Sequence, residues 1–234
     1  MTAAAPGRAT TLTLFDIDGT LLDVAGAGRR AFAQALREVF AVDDDLHHVR
    51  FAGATDRGVL RQLRARHGLP LQDEPAFFRA MERALSAALV QEPPRVFGGV
   101  HACLAHLAAA PEVVLGLLTG NALRCAQVKL ERAGIDRSIF DVGGYGDEHE
   151  DRDVLARRAL ERAERARGHG FERVFVVGDT PNDIRAARAI AAVAVAVTTG
   201  HHDRDALLAA GADAVVDDLA TYTFIPGVAP WPTT

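Results

Sequence analysis

Lysine is almost missing from this 234-residue chain: of 26 basic residues, Lys129 is the one lysine and the other 25 are arginines. Such a bias marks a GC-rich coding sequence, so an arginine at any one position carries less information than usual. Cysteine is equally scarce. Cys103 and Cys125 form no CxxC pair, which excludes a disulfide framework and a zinc site and leaves two small buried apolar groups. No apolar run can span a bilayer, since the longest, 189–197, is about half the required length. Positive charge is not in excess: a net charge of -5 argues against a nucleic-acid partner. The first residues lack the basic-then-apolar layout of a signal peptide, so a cytoplasmic protein is expected.

What is present is an ordinary globular composition, 49% hydrophobic and 24% charged, in a chain long enough for one domain plus an insert. Short, continuously apolar, β-branched runs at 12–15, 113–118, 139–142, 174–177, 193–197 and 214–216 read as strands of a parallel sheet covered on both faces. From residue 98 onward they alternate with helical stretches at 101–109, 122–133, 152–167, 182–190 and 204–210. That rhythm predicts an α/β fold with a doubly wound parallel sheet. It breaks once. Between the first two strands lie roughly ninety residues with no convincing strand, too many for a crossover, and they read as helices 27–40, 56–67 and 74–91. The division expected is a core of 11–24 and 97–220, an inserted helical subdomain of 25–96, a flexible start at 1–10 and a proline-rich tail at 221–234, with glycines and prolines at both borders of the insert.

Ligands of open α/β sheets bind beyond the carboxyl ends of the strands. Three polar clusters stand there: Asp16-Ile17-Asp18-Gly19-Thr20, Thr119-Gly120-Asn121, and Gly178-Asp179 with Asp183. Four carboxylates converging on one edge repel one another, and a hard, oxygen-seeking cation such as Mg²⁺ relieves that repulsion while leaving coordination positions for phosphate. Gly19 and Gly120 leave the backbone open to an oxyanion, and Thr119 supplies a hydroxyl. Each cluster alone has an ordinary explanation as a turn or a helix cap. Three in order at strand ends point to catalysis.

These motifs resemble the haloacid dehalogenase-like hydrolase superfamily, in its phosphoglycolate phosphatase-like branch with a helical cap inserted after the first strand. The resemblance spans roughly residues 11 to 219. It implies a Rossmann-like core, a Mg²⁺-dependent phosphatase acting on a small phosphorylated metabolite, and a set of roles. Asp16 is the implied nucleophile and Asp18 the acid and base. Asp16, the Asp18 backbone carbonyl and Asp179 are the implied metal ligands, with Asp183 beside them. Thr119 would hold a phosphoryl oxygen, with Gly19, Gly120 and Asn121 lining its site. Asp18 also separates phosphoryl transfer from carbon-halogen cleavage, whose halide leaving group needs no proton.

One feature departs from that pattern. Relatives carry a lysine after the third strand, whereas the stretch 143–152 has none, and Arg152 at the start of the next helix is the expected replacement. Lys129, about eight residues beyond Asn121, is expected to stand roughly 12 Å from the phosphate end, too far to take part. Thr55 and Asp56 either face substrate or merely start a helix. Arg57, Arg61 and Arg64 share a helix face that reads as a solvated stripe, and His201 and His202 read as surface. The alternatives to a phosphatase are a phosphomutase of the β-phosphoglucomutase type and a catalytically silent binding or regulatory protein. Monomer and homodimer stay open.

Overall fold

A computed structural model describes residues 10–70 and 72–221. The segment 1–9 and the proline-rich end with Trp231 lie outside the described residues. The strands among them are β1 Thr11–Phe15, β2 Leu22–Asp23, β3 Arg95–Val96, β4 Val113–Leu118, β5 Val142–Gly144, β6 Arg173–Gly178, β7 Val193–Val197 and β8 Ala214–Val216. Six of them form one parallel sheet in the order β5-β4-β1-β6-β7-β8. The chain leaves β1 on one side for β4 and β5, then returns to its other side for β6 to β8. The switch point of this doubly wound α/β sheet therefore falls at β1, where ligands bind.

Alternation along each strand explains why the runs are apolar throughout, since successive side chains enter opposite faces. Phe15, Leu115, Leu117, Phe175 and Val177 join one core, and Leu12, Leu14, Val114, Leu118 and Val176 join the other. The second core is closed by Leu155, Ala156 and Ala159 of α6 (Arg152–Arg167) and by Ile184 and Ala187 of α7 (Pro181–Arg188).

The helices between β1 and β4 are α1 Ala27–Phe40, α2 Asp56–His67, α3 Glu74–Gln91 and α4 Val100–Ala109; α5 is Leu123–Arg132 and α8 is Arg204–Ala209. Helices α1 and α3 bury Ala31, Phe32, Ala35 and Leu36 against Phe77, Met81, Ala84 and Leu85, at the three- and four-residue spacing of one helix face. Phe32 and Phe77 meet edge to face with ring centroids 4.8 Å apart.

Two local readings need correction. The helical excursion is not strand-free, because β2 pairs antiparallel with β3 and clasps its two ends. Two-residue strands carry no periodicity by which to read them. The third strand of the core also sits later than 139–142: Arg137–Ile139 is a 3-10 turn, and the strand is Val142–Gly144. Glycines hide it, and packing demands one of them, for a Cβ on Gly144 would lie 2.5 Å from the Leu155 carbonyl oxygen of α6.

Candidate active site

The register of β1 with its neighbours assembles the site. Phe15 lies opposite Leu117 on one side and Val177 on the other. Asp16, Thr119 and Asp179 consequently emerge together at one sheet edge, as the sequence motifs require. Asp183 joins them from the first turn of α7, where Thr180 and Asp183 form a reciprocal cap: Thr180 Oγ1 accepts from the Asp183 amide at 3.3 Å and Asp183 Oδ2 accepts from the Thr180 amide at 3.0 Å, with the Thr180 hydroxyl donating to the same oxygen at 2.6 Å. Asp16, Asp179 and Asp183 are all buried, each with a carboxylate oxygen within 4.8 Å of the others.

Arg152 offsets part of this charge. Its Nη2 lies 2.9 Å from Asp16 Oδ1 and 2.5 Å from Asp183 Oδ1, and donates to the Leu118 carbonyl at 2.8 Å. Burial would lower the pKa of Arg152, but Asp16 and Asp183 outweigh it and hold the guanidinium charged. Three carboxylates against one cation leave negative charge in excess. Burial pushes Asp16 up to about 6, with Arg152 opposing and Asp183 reinforcing the rise; burial together with Asp183 and Asp16 raises Asp179 to about 8.

An all-oxygen donor set with surplus negative charge suits a hard divalent cation. Asp183 Oδ1, although against Arg152, has no aligned hydrogen-bond donor. Space is kept for Asp179 by glycine: a Cβ on Gly19, whose φ is +79°, would stand 2.4 Å from Asp179 Oδ2. Those observations fit Mg²⁺ at Asp16, Asp179 and Asp183. The Asp18 carboxylate faces elsewhere, toward Asn121 and Lys129.

Asp18 instead meets Lys129, and here the sequence reading was wrong. Lys129 Nζ lies 2.7 and 2.6 Å from the two Asp18 carboxylate oxygens and 2.6 Å from Asn121 Oδ1. Helical side chains lean back toward the N-terminus, so rise along α5 overstates the distance, and four methylenes carry the ammonium to the site. Burial opposes its charge, but Asp18 leaves its pKa raised. Asn121 completes the cluster: its Nδ2 donates to Asp18 Oδ2 and to Thr119 Oγ1, both at 2.7 Å. A flipped amide would set Nδ2 against the ammonium and Oδ1 against the carboxylate, so one orientation alone satisfies both. Both cations, Arg152 and Lys129, thus reach the two aspartates that follow β1, Asp16 and Asp18, one each.

The segment entering α2 is stitched onto this edge. Asp56 N–H donates to the Gly120 carbonyl at 2.8 Å, and the Asp56 carboxylate accepts from Ala122 N–H at 2.7 Å. Burial lifts Asp56 to about 7; Lys129 and the Ala122 N–H oppose the rise, and Asp18 and Asp147 add to it. Gly120 serves this docking, since a Cβ there would lie 1.9 Å from the Ala54 carbonyl oxygen. Thr55 caps α2 by accepting from Gly58 N–H at 3.0 Å and donates to the Glu150 carbonyl at 2.9 Å. Its hydroxyl is committed to structure, and the helix-start reading of Thr55 prevails over substrate contact.

Other side chains have partners that the sequence did not reveal. Arg57 and Arg64 pair with Glu74, and Arg61 with Glu150, so the arginine stripe is an ion-pair network. His201 lines the cleft, and His202 places Nδ1 3.2 Å from the Asp179 carbonyl and Nε2 3.2 Å from Arg50. Neither histidine had a spacing that could reveal it. A cavity of about 730 Å³ separates Asp16, Asp18 and Arg152 on its floor from Phe51, Met81 and Leu85 of the helical excursion.

The family model for the haloacid dehalogenase-like hydrolases matches residues 11–191, most of the chain. The chain belongs to that family. Its relatives include the phosphoglycolate phosphatase of Synechococcus elongatus, 32% identical over 203 residues that cover 86% of this chain and 89% of the relative. The probable phosphatase IndB of Dickeya dadantii is 31% identical over 93% of each chain. A crystal structure of a CbbY mutant from Rhodobacter sphaeroides, in complex with xylulose-(1,5)bisphosphate, shares the fold with a TM-score of 0.70 at 23% identity, over 90% of this chain and 95% of that one. This hydrolase is a phosphatase of the family. No described helix is long and apolar enough to cross a membrane.

Proposed function

We propose that this phosphatase hydrolyses a small, soluble phosphomonoester in the cytoplasm, phosphoglycolate-like or another phosphorylated metabolite, through an aspartyl-phosphate. The observation that carries the reading is the placement of Asp16 at the switch point, its carboxylate 2.9 Å from Arg152 and flanked by Asp18. An Asp16 oxygen attacks phosphorus while the bond to the leaving oxygen breaks, and Asp18 gives that oxygen its proton. Asp18, now a carboxylate, then takes a proton from the water that attacks the phosphoenzyme, and the Asp16–phosphorus bond breaks. Arg152 lies where it can hold phosphoryl oxygens as charge develops, and Thr119 beside it is the further donor.

Mg²⁺ would be held by Asp16, the Asp18 carbonyl and Asp179, with Asp183 adjacent, and when bound it neutralises charge on the transferring phosphoryl group. Helices α1 to α3, spanning 25–96 with their flanks, would act as the cap that screens the cavity from water. Phosphate release over a panel of phosphomonoesters, with and without Mg²⁺, tests the whole reading. Release that needs Mg²⁺ and disappears in Asp16→Asn is the expected result, and release by Asp16→Asn at the wild-type rate would sink it. Isomerised sugar phosphate in place of inorganic phosphate would favour the mutase instead.

A further inference from the structure

We propose that Lys129 is the positioning residue of the proton donor, a compact cationic anchor that holds the Asp18 carboxyl toward the leaving oxygen. The inference rests on the reading of Asp18 as acid and base. Asp18 has to meet the substrate, and its side chain is accordingly 40% exposed, while that of Lys129 behind it is 4% exposed. A half-exposed aspartate on a turn would otherwise spread over several rotamers, and most would point the proton away from the scissile bond. Lys129 and the Asn121 amide restrain it with three contacts of 2.6 to 2.7 Å. Asn121 is itself restrained by the same ammonium and by Thr119. None of these hydrogen bonds runs to Asp16, Asp179 or Asp183.

Composition supplies a second, independent argument. Of 26 basic positions, arginine holds every one except this. The geometry bears on the exception, because the buried ammonium has Asp18 and Asn121 as its acceptors. A guanidinium is broader and planar, and its fork suits one bidentate partner, whereas a tetrahedral ammonium donates in three directions to Asp18 and Asn121. Lysine is thus the cation whose donors match these acceptors, and a bias toward arginine has not displaced it.

The test is a double-mutant cycle on the full chain with Mg²⁺ present, using Asp18→Asn, Lys129→Met and the pair. Phosphate release is measured from an alkyl phosphate, whose leaving oxygen needs a proton, and from nitrophenyl phosphate, whose leaving group does not. Lys129→Met should lose about 10²-fold in kcat on the alkyl ester, the scale of a displaced catalytic group, and less than about tenfold on the nitrophenyl ester. The pair should be no slower than Asp18→Asn alone, since a residue acting through another adds nothing once that other is gone. Lys129→Arg should not restore the alkyl rate. Equal losses on both esters that multiply with Asp18→Asn would overturn the proposal and make Lys129 a direct substrate contact; a wild-type rate in Lys129→Met would also overturn it. Wild-type alkyl turnover by Asp18→Asn would instead fell the functional reading beneath it. If Lys129→Met does not fold, the single lysine still gives an answer. Protein labelled with ¹⁵N-lysine has one Nζ resonance, expected to exchange slowly with water and to move in Asp18→Asn but not in Asp179→Ala. A solvent-like resonance unmoved by Asp18→Asn would overturn the proposal.

Discussion

The Arg152 guanidinium bridges Asp16 and Asp183, 2.9 Å from one carboxylate and 2.5 Å from the other, in a pocket that exposes only 2% of its side chain. A planar cation with five donors can keep these two contacts and still face an incoming phosphoryl group. Arg152→Ala is therefore expected to cost about 10² to 10³ in kcat, the scale of one lost transition-state stabiliser. Arg152→Lys should recover only part of it. Steady-state kinetics on any turned-over phosphomonoester checks this, and an Arg152→Ala enzyme within a few-fold of wild type would contradict it.

Asp16→Asn removes the nucleophile without changing the shape of the site and should abolish turnover while leaving thermal unfolding cooperative. Asp18→Asn should slow esters with poor leaving groups far more than nitrophenyl phosphate, because proton donation matters most for the former. Parallel rates on the two esters would argue against Asp18 as the donor.

Metal binding can be read without turnover. Asp16, Asp179 and Asp183 meet within 4.8 Å, so Mg²⁺ should raise the unfolding temperature of the wild-type protein, as any ligand of the native state does. Asp179→Ala should weaken that stabilisation. Chelator should remove activity, and Mg²⁺ should restore it.

Asp56 makes a stability prediction with a definite sign. Its pKa stands at about 7 in the folded chain, above the ordinary value of 3.8. The native state therefore holds the proton more tightly than the unfolded state. That contribution to stability is complete below the ordinary carboxylate range and is lost as pH rises through about 7. Asp56→Asn keeps an acceptor for the Ala122 amide and abolishes the titration. Its unfolding temperature should exceed that of wild type at pH 8 and lie close to it near pH 4. An identical pH dependence in the two proteins would show that Asp56 is not the group responsible.

Gly120→Ala should loosen the docking of residues 51–58, since its Cβ would lie 1.9 Å from the Ala54 carbonyl oxygen. Protease nicking in that segment should accelerate well beyond nicking of the core. Nicking near Gly26 or at 93–99 should slow when a phosphate analogue and Mg²⁺ close the cleft. Cleavage patterns unaffected by either change would argue that the helices do not move.

The helices of the excursion were legible to the residue. Ala27–Phe40, Asp56–His67 and Glu74–Gln91 each carry a sustained apolar face between turn-forming residues, and α6 likewise begins and ends where its pattern does. Asp16 and Asp179 were legible because each follows directly on an apolar strand, and parallel strands deliver their carboxyl ends to one edge whatever the loops between them do. Local chemistry of that kind is written in neighbouring residues. Lys129, Asp56 and His202 were not legible in the same way. Their partners are distant in sequence, with Asp18 lying 111 residues from Lys129 and Ala122 lying 66 residues from Asp56. Nothing local records that a lysine two turns into α5 leans back to the site, or that the acid at the start of α2 serves a different helix. The lone lysine among arginines was visible from the outset, but only its contacts with Asp18 and Asn121 show what an ammonium does there. The alternation of strands and helices and the motifs at the strand ends belong to the sequence; which cation meets which carboxylate was decided by side-chain reach and close packing in three dimensions.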